Sequence, residues 1–135
     1  MPVVKLRVEK LLNLLGVNIT LEQLSENLAA LGLSVEETSD TVIKAEYNPN
    51  RPDFSSVYGV ARALKGFLGL DTGLPEYRAL KPGATMYVDP SVAGVRPYIA
   101  CAYVRRLRLE EEDLEELIAM QEDLHWVVGL SLIHI

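Results

Sequence analysis

The run of residues 48–69, NPNRPDFSSVYGVARALKGFLG, constrains the fold more than any other part of the 135-residue chain. Proline fixes its own φ and drives the residue before it into an extended conformation, so the NPNRP segment is a stiff elbow. After the elbow, Asp53 or Ser55 can accept the N–H groups of a first helical turn. Apolar residues at helical spacing, followed by Gly69, predict a buried helix with a left-handed cap. An arginine-bearing elbow therefore leads directly into a buried helix.

Two more helices are predicted before the elbow, and each ends in a Leu-Gly pair. The second of them begins at a capping box formed by Thr20 and Gln23. Between that helix and the elbow, the apolar pattern of residues 35–47 predicts two short strands around a tight turn. The order helix, helix, hairpin, helix is typical of a winged-helix-like module, so we expect an α+β fold over residues 1–70.

A linker and a second unit are predicted to follow this module. Residues 71–97 hold four of the seven prolines, which indicates a linker with one short strand at 86–88. Apolar residues roughly alternate over 98–109, which predicts a strand, and a helix is predicted over 111–128. The side chains expected on its buried face are Leu114, Leu117, Ile118 and Leu124. One strand and one helix cannot bury both of their faces, so this second unit is predicted to be incomplete.

Charge is distributed unevenly along the chain. Residues 1–109 carry +2, from 13 basic and 11 acidic side chains, and residues 110–135 carry −8, from 8 acidic side chains and no basic one. The acidic run opens the last helix, where the helix dipole favours carboxylates, so local electrostatics explain it without a metal or substrate. The net charge of −6 argues against a protein that grips nucleic acid over its whole surface.

The remaining composition is that of a globular chain. No apolar run approaches the length that spans a bilayer, so no membrane partner is expected. The single cysteine, Cys101, lies in the apolar run YIACAYV and is predicted to be a small buried hydrophobe. One cysteine cannot form a disulfide within the chain, which fits a reducing cytosol.

Five segments resemble, in order, successive landmarks of the β subunit of phenylalanine–tRNA ligase of the archaeal and eukaryotic type. They are MPVVKLRVEKLLNLLG, LEQLSENLAALGLSVEE, NRPD, VRPYIACAYVRRLRL and ELIAMQEDLHW, and together they cover roughly residues 1–129. The resemblance implies a B5-like module called B1 over 1–70, a linker over 71–97, and the first strand and helix of a truncated B3/B4-like editing domain over 98–129. Residues 130–135, LSLIHI, depart from the family pattern and resemble a translated transposon end, so they are predicted to be a sequencing or cloning scar.

The resemblance also implies a function. The family is a class II aminoacyl-tRNA synthetase that charges tRNA(Phe) with phenylalanine, using ATP and magnesium, as a cytoplasmic α2β2 heterotetramer. In it the α subunit carries the reaction, and the β subunit serves assembly and tRNA binding. The fragment is therefore expected to be inactive alone, with no catalytic, cofactor-binding or metal-binding residue.

By resemblance the elbow is a candidate magnesium site, because in the family's B5 domain acidic residues just after an R-x-D motif and in the helix that follows hold magnesium. Asp53 matches the aspartate of that motif, but the helix after it carries no carboxylate. One carboxylate does not make a magnesium site without substrate phosphates. We therefore predict that no metal binds here and that Asp53 caps the helix.

Five residues are candidates for an interface or for tRNA contact. The elbow fixes the guanidinium of Arg51, which is predicted to contact a carboxylate elsewhere in the subunit, and Asp53 lies beside it. The other three, Arg105, Arg106 and Arg108, flank the predicted strand. They could meet tRNA phosphates, but pairing with the acidic helix or with solvent is the favoured interpretation.

The alternative function is a free-standing winged-helix-like nucleic-acid-binding module. Its recognition helix would be the second helix, which offers Gln23 and Asn27 alongside Glu22 and Glu26. These two carboxylates would repel phosphate, which counts against the alternative. A pair on the last helix, His125-Trp126, is expected to be packed or interfacial and not a general base.

Overall fold

The structure is a computed structural model that describes residues 2–81 and 83–127. It divides into two compact units: one runs up to Gly73 and resumes at Glu110, and the other is Leu74–Leu109. The predicted scar at 130–135 and the predicted helix end at residue 128 lie outside the described residues.

The first unit is an α+β module built on a three-stranded antiparallel sheet with the order β1-β3-β2. The strands are β1 Val3–Arg7, β2 Ser34–Thr38 and β3 Val42–Glu46. The helices are α1 Val8–Leu15, α2 Leu21–Ala30, α3 Val57–Phe67 and α4 Glu111–Val127. A short 3₁₀ helix, Pro52–Ser55, precedes α3.

Local sequence signals account for most of these elements. The capping box of α2 is confirmed, because the Gln23 N–H donates to Thr20 Oγ1 at 3.2 Å and the Thr20 N–H donates to Gln23 Oε1 at 3.0 Å. The predicted hairpin is also confirmed, as β2 and β3. Gly69, after α3, has a φ of 70°, which is the left-handed conformation expected there.

Strand β1 was missed, because its five residues run straight into the apolar pattern of α1. The strand exists because β3 has a free edge to pair with, and Ile43 lies opposite Leu6 in that ladder. Both side chains are fully buried and face the helices. The core comprises Val4, Leu6, Val8, Leu11, Leu15, Leu24, Leu28, Leu33, Ile43, Ala45, Tyr47, Phe54, Val57, Val60, Ala61 and Leu64. One face of the sheet and the inner faces of α1, α2 and α3 therefore share a single core.

The second unit, Leu74–Leu109, is organised differently. Its described residues contain one 3₁₀ turn, Pro90–Val92, and no strand, so the strands predicted at 86–88 and 98–109 are wrong. Alternating apolar residues give a segment one face that could be buried. A strand also needs a neighbouring strand to pair with its backbone N–H and C=O groups. Cys101 is exposed, with its Sγ 3.4 Å from Met86 Sδ, so the prediction that it is buried is wrong for the same reason.

Helix α4 packs in the first unit with its polar face inward. The side chains predicted to be buried are 43–61% exposed, so that prediction is wrong; they are Leu114, Leu117, Ile118 and Leu124. The half-buried positions on this helix include Asp113, Glu116, Met120 and Asp123, which lie on one face. In the part of the chain that the structure describes, no helix combines the length and apolar character needed to cross a membrane.

Candidate interface

The elbow closes on itself through Arg51 and Asp53. The Arg51 Nε donates to Asp53 Oδ1 at 2.9 Å and Nη2 donates to Oδ2 at 2.7 Å, a bidentate pair. These hydrogen bonds lower the pKa of Asp53 and raise that of Arg51. Among the described residues the bidentate partner of Arg51 is Asp53, two residues away, and the predicted contact with a carboxylate elsewhere in the subunit stays a prediction. Since both side chains are nearly half exposed, the pair fixes the shape of the elbow more than it adds stability.

Phe54 anchors the elbow in the core. Its ring is 2% exposed, and the Arg51 guanidinium lies over it at 3.8 Å from the ring centroid. One guanidinium therefore contacts both a carboxylate and an aromatic face, which suits its planar shape. The Arg51 guanidinium therefore links the exposed carboxylate of Asp53 to the buried ring of Phe54.

Ser56 caps α3, so the predictions that Asp53 or Ser55 caps it are wrong. The Gly59 N–H donates to Ser56 Oγ at 3.2 Å, and Ser56 is buried. The reason is the 3₁₀ turn at Pro52–Ser55, which delays the start of the helix. Within that turn Ser55 Oγ donates to the carbonyl of Pro52 at 2.8 Å.

Gly59 allows the elbow to lie directly on α3. A Cβ built at this position would come within 1.7 Å of the Asp53 carbonyl oxygen, a distance that no side chain can tolerate. Glycine inside a helix costs about 1 kcal/mol relative to alanine, and here the close backbone approach explains it. The signal for this residue was its position in the first turn of a predicted helix, which sequence reasoning did not use.

A second polar feature, which we call the acidic clasp, holds α4 to the module. It consists of Glu112, Asp113 and Glu116 facing Arg7, Lys10 and Tyr58. Arg7 Nη2 donates to Glu116 Oε1 at 2.9 Å, and Arg7 also pairs with Glu112. Lys10 pairs with Asp113 and lies 3.6 Å from Glu116 Oε1.

Asp113 is the centre of the acidic clasp. The Tyr58 hydroxyl donates to its Oδ1 at 2.7 Å, and Lys10 donates to the same oxygen. The pKa of Asp113 is held well below its ordinary value, chiefly by the hydrogen bond from Lys10, then by the Glu110 N–H and Tyr58. Burial, the largest single influence, opposes the charge of Lys10, but the hydrogen bonds with Asp113 and Tyr58 and the charge of Glu116 together outweigh it and raise the pKa of Lys10.

The far end of the same helix face makes one more contact. The Tyr47 hydroxyl donates to Asp123 Oδ2 at 3.0 Å. Burial, together with this hydrogen bond, raises the pKa of Tyr47 to about 12. The acidic run of α4 therefore has partners beyond its own dipole, and sequence reasoning missed them because Arg7 and Lys10 lie more than 100 residues away.

The other three candidate residues, Arg105, Arg106 and Arg108, lie in the second unit. The Arg105 guanidinium lies over the Tyr103 ring at 5.4 Å from its centroid. Arg106 has a φ of 61°, and the segment around it is exposed. Their contact with tRNA, like that of Arg51 and Asp53, stays a prediction.

A groove of about 870 Å³, which we call the α3 groove, runs beside the elbow. Small residues of α3 line it at Gly59, Ala63 and Gly66, and Arg62 stands at its edge. Apolar side chains complete the lining: Leu31 just after α2, Phe67 of α3, and Met120 and Leu124 of α4. Within residues 2–81 and 83–127, no group of three or more His, Cys, Asp or Glu side chains is arranged to hold a metal ion.

The comparisons with known proteins agree on one family. Residues 1–70 match the family model described as the Phe-tRNA synthetase beta subunit B1 domain. The phenylalanine–tRNA ligase β subunit of Methanopyrus kandleri is 48% identical over 133 residues, which is 96% of this chain and 22% of that protein. That of Methanothrix thermoacetophila is 45% identical over 130 residues, 96% of this chain and 24% of that protein.

A solved structure shows the same fold. It is the crystal structure of an N-terminal fragment of the phenylalanyl-tRNA synthetase β subunit from Pyrococcus horikoshii, with a TM-score of 0.77 and 33% identity. The match covers 95% of this chain and 38% of that one.

The fold and its intramolecular polar contacts define a structural module of an aminoacyl-tRNA synthetase subunit. The chain belongs to the phenylalanyl-tRNA synthetase β subunit family and corresponds to an N-terminal region of that subunit. It spans under a quarter of the length of these curated relatives.

Proposed function

We propose that this chain serves assembly and tRNA positioning in a phenylalanine–tRNA ligase and does not itself carry out aminoacylation. The observation that carries the proposal is the use of ionisable groups in the first unit. Every described group there with a shifted pKa is paired with another group of the same unit; these groups are Lys10, Tyr47, Arg51, Asp53, Tyr58 and Asp113. Their interactions hold helices and the elbow in place, which is the work of a scaffold.

The whole enzyme supplies the chemistry in this proposal. It is a class II synthetase that uses ATP and magnesium, with an α subunit that carries the reaction and a second β subunit in an α2β2 heterotetramer. It binds tRNA(Phe) and works in the cytoplasm. Residues 98–129 begin the B3/B4-like editing domain of the β subunit, with 71–97 as the linker. The exposed apolar side chains of 98–109 support this, because they have the surface that a neighbouring part of a domain would cover.

The test is a deletion in the full-length β subunit. Co-expression of the α subunit with a β subunit that lacks residues 1–70 should give complexes that do not reach the α2β2 mass by light scattering, or that bind tRNA(Phe) at least tenfold more weakly. The 135-residue chain alone should show no ATP–pyrophosphate exchange. An α2β2 complex with unchanged tRNA affinity after the deletion would overturn the proposal, and so would exchange activity in the isolated chain.

The free-standing nucleic-acid-binding alternative finds less support. Arg7 and Lys10 are engaged by carboxylates of α4, and Glu22 and Glu26 are exposed on α2. Neither surface suits a phosphate backbone. Retention of the chain on heparin at low salt, with elution by added salt, would reverse this preference.

A further inference from the structure

Helix α4 is attached to the first unit near both of its ends. Near its start, the acidic clasp joins it to side chains of β1, α1 and α3, which are Arg7, Lys10 and Tyr58 respectively. Near its end, Asp123 accepts the hydrogen bond from Tyr47. Asp123 follows Asp113 by ten residues, which is about 15 Å along the axis of an α-helix. Two attachments this far apart fix the direction of the helix as well as its position.

Helix α4 makes these attachments without contributing to the core of the first unit. Every core residue among those that the structure describes lies between Val4 and Leu64. Besides its polar contacts, α4 packs against the 3₁₀ turn Pro52–Ser55, and its Met120 and Leu124 line part of the α3 groove. The core can therefore stay intact when α4 moves.

The two faces of α4 differ in chemistry. The inner face carries half-buried carboxylates that contact the first unit: Asp113, Glu116 and Asp123. The outer face carries large apolar side chains that are 43–63% exposed: Leu114, Leu117, Ile118 and Trp126. Under the proposed function, residues 98–129 begin a domain that continues beyond this chain, so the rest of that domain covers the outer face. In the full subunit, α4 then stands between the module and the domain that it begins.

The connection from α3 to α4 does not fix the direction of α4. In the part that the structure describes, residues 74–109 contain one 3₁₀ turn and neither a strand nor an α-helix. A segment without regular secondary structure limits how far apart its ends lie, but it does not orient them. The direction of α4 therefore depends on its side-chain contacts.

These side-chain contacts are individually weak. The side chains of Arg7 and Lys10 are 30% and 22% exposed, and that of Glu112 is 62% exposed. Ion pairs that water and salt can reach contribute little each, and they weaken as ionic strength rises. Glu116 Oε2 is buried and has no hydrogen-bond partner among the described residues, which opposes docking of the helix. The acidic clasp therefore holds α4 reversibly.

We propose that the acidic clasp and Tyr47 form a positioning interface, which sets the direction of α4 and, through α4, the orientation of the domain that this helix begins. When the clasp opens, that domain turns relative to residues 1–70 while the module stays folded. Lys10 is the central positioning residue, because it pairs with both Asp113 and Glu116. The part of the inference that concerns the domain rests on the proposed function, whereas the part that concerns the direction of α4 does not.

The first test is a distance measurement in the 135-residue chain. Spin labels are attached at two exposed positions, Ala29→Cys on α2 and Gln121→Cys on α4, in a Cys101→Ser background. Pulsed electron paramagnetic resonance then gives the distribution of distances between the labels. We expect one narrow distribution, because α4 has a single direction. A broad distribution in this chain would overturn the proposal.

Charge reversal identifies the residues that set the distance. Lys10→Glu should broaden the distribution about twofold or more, because repulsion between carboxylates replaces an attraction. Adding Asp113→Lys to that variant should restore the narrow distribution. Lys5→Glu is the matched control: it makes the same charge change on β1 outside the clasp and should leave the distribution narrow. A narrow distribution in Lys10→Glu, or equal broadening in Lys5→Glu, would overturn the proposal.

Salt opens the clasp without any substitution. In the labelled chain, 1 M NaCl reduces the Debye length to about 3 Å and should broaden the distance distribution. Circular dichroism and the urea midpoint should show that the module stays folded, because its core does not include α4. A purely structural role would instead lower the urea midpoint together with the loss of the narrow distance, and that result would overturn the proposal.

The last test asks whether the clasp acts in the enzyme. The same two labels are placed in the full-length β subunit, with any other exposed cysteines replaced, and the subunit is assembled with the α subunit. Lys10→Glu should broaden the distribution without changing the yield of complex. A narrow distribution in this variant would show that the rest of the enzyme fixes α4, which would overturn the proposal. Failure of the proposed function is distinguishable, because it appears as normal assembly and tRNA binding after deletion of residues 1–70.

Discussion

The two units of the chain contain similar apolar side chains but differ in whether those side chains have partners. In the first unit, three strands and three helices close around one core in which Leu6, Ile43 and Leu64 are fully buried. In the second, Leu74–Leu109, Tyr98 and Ile99 remain 92% and 64% exposed. The difference shows that an apolar pattern becomes a core only where the chain also supplies a second layer. The first unit buries these side chains within itself, whereas the second unit leaves them exposed.

The largest expected effect separates these two units directly. Phe54→Ala should lower the free energy of unfolding by about 3–5 kcal/mol, because it leaves a cavity in a packed core. The matched change Tyr98→Ala should alter it by less than about 0.5 kcal/mol, since the ring is exposed. Urea unfolding followed by circular dichroism measures both. Equal losses would mean that the second unit contributes to the same core.

The next effect concerns the contact between the elbow and α3. Gly59→Ala should destabilise the module by about 2 kcal/mol or more, because the new Cβ collides with the Asp53 carbonyl oxygen. Gly66→Ala should instead stabilise it by about 0.5–1 kcal/mol, since alanine is the better helix former and the site is open. Thermal unfolding of the two variants should shift in opposite directions. A harmless Gly59→Ala would contradict the close approach.

Loss of the acidic clasp should destabilise α4 more than it destabilises the core. Lys10→Met removes the cation that pairs with Asp113 and Glu116, so amide exchange in α4 should become several-fold faster while β1 and β3 stay protected. Lys5→Met is the control, because Lys5 is exposed on β1 and makes no ion pair among the described residues. Exchange in α4 that is unchanged in Lys10→Met would show that other contacts hold the helix.

The pH dependence of α4 should follow Asp113. Its pKa is lower in the folded chain than in the unfolded one, so the clasp stabilises fully above the ordinary value of about 3.9 and is lost as pH falls through the folded pKa. We expect Trp126 fluorescence to report release of α4 in this acidic range, below about pH 4. Asp113→Asn should flatten that profile. An identical acid transition in the variant would assign the release to other carboxylates.

The smallest effect lies at the other extreme of pH. The pKa of Tyr47 is raised to about 12, so the neutral hydroxyl favours the folded state up to about pH 10, its ordinary value, and this contribution declines from there to about 12. Tyr47→Phe should remove this part of the alkaline loss in stability. Denaturant titrations at pH 9 and 11 would measure it, and a variant that loses as much stability as the parent chain would contradict the assignment.

The sequence predicted the features that rest on residues close together in the chain, and it missed those that rest on residues far apart. Thr20 with Gln23, the hairpin and the left-handed Gly69 were predictable because each rests on residues a few positions apart. Strand β1 was not, because it exists only through its ladder with β3. The cap of α3 was misassigned by one to three residues, since a 3₁₀ turn intervenes between the elbow and Ser56.

The candidate interface was harder still to predict. Arg51 and Asp53 were identified as a pair of interest, but not as each other's partner. The acidic clasp joins side chains that are more than 100 residues apart, and no local sequence pattern predicts such a pairing. Helix α4 also departs from the usual rule, because three of its carboxylates are half-buried against the module while its leucines are 43–49% exposed. Arg7 at the end of β1 and Lys10 on α1 explain that orientation, and they carry no periodic signal.

The most direct test of the scaffold role is a measurement that separates assembly from chemistry. Full-length β subunit carrying Phe54→Ala would be combined with the α subunit, and native mass spectrometry would give the fraction of α2β2 complex. Aminoacylation would then be assayed on that isolated fraction. We predict a reduced fraction of complex whose kcat equals that of the unaltered enzyme. A full yield of complex with a lowered kcat would contradict the scaffold role and would place this region in the reaction itself.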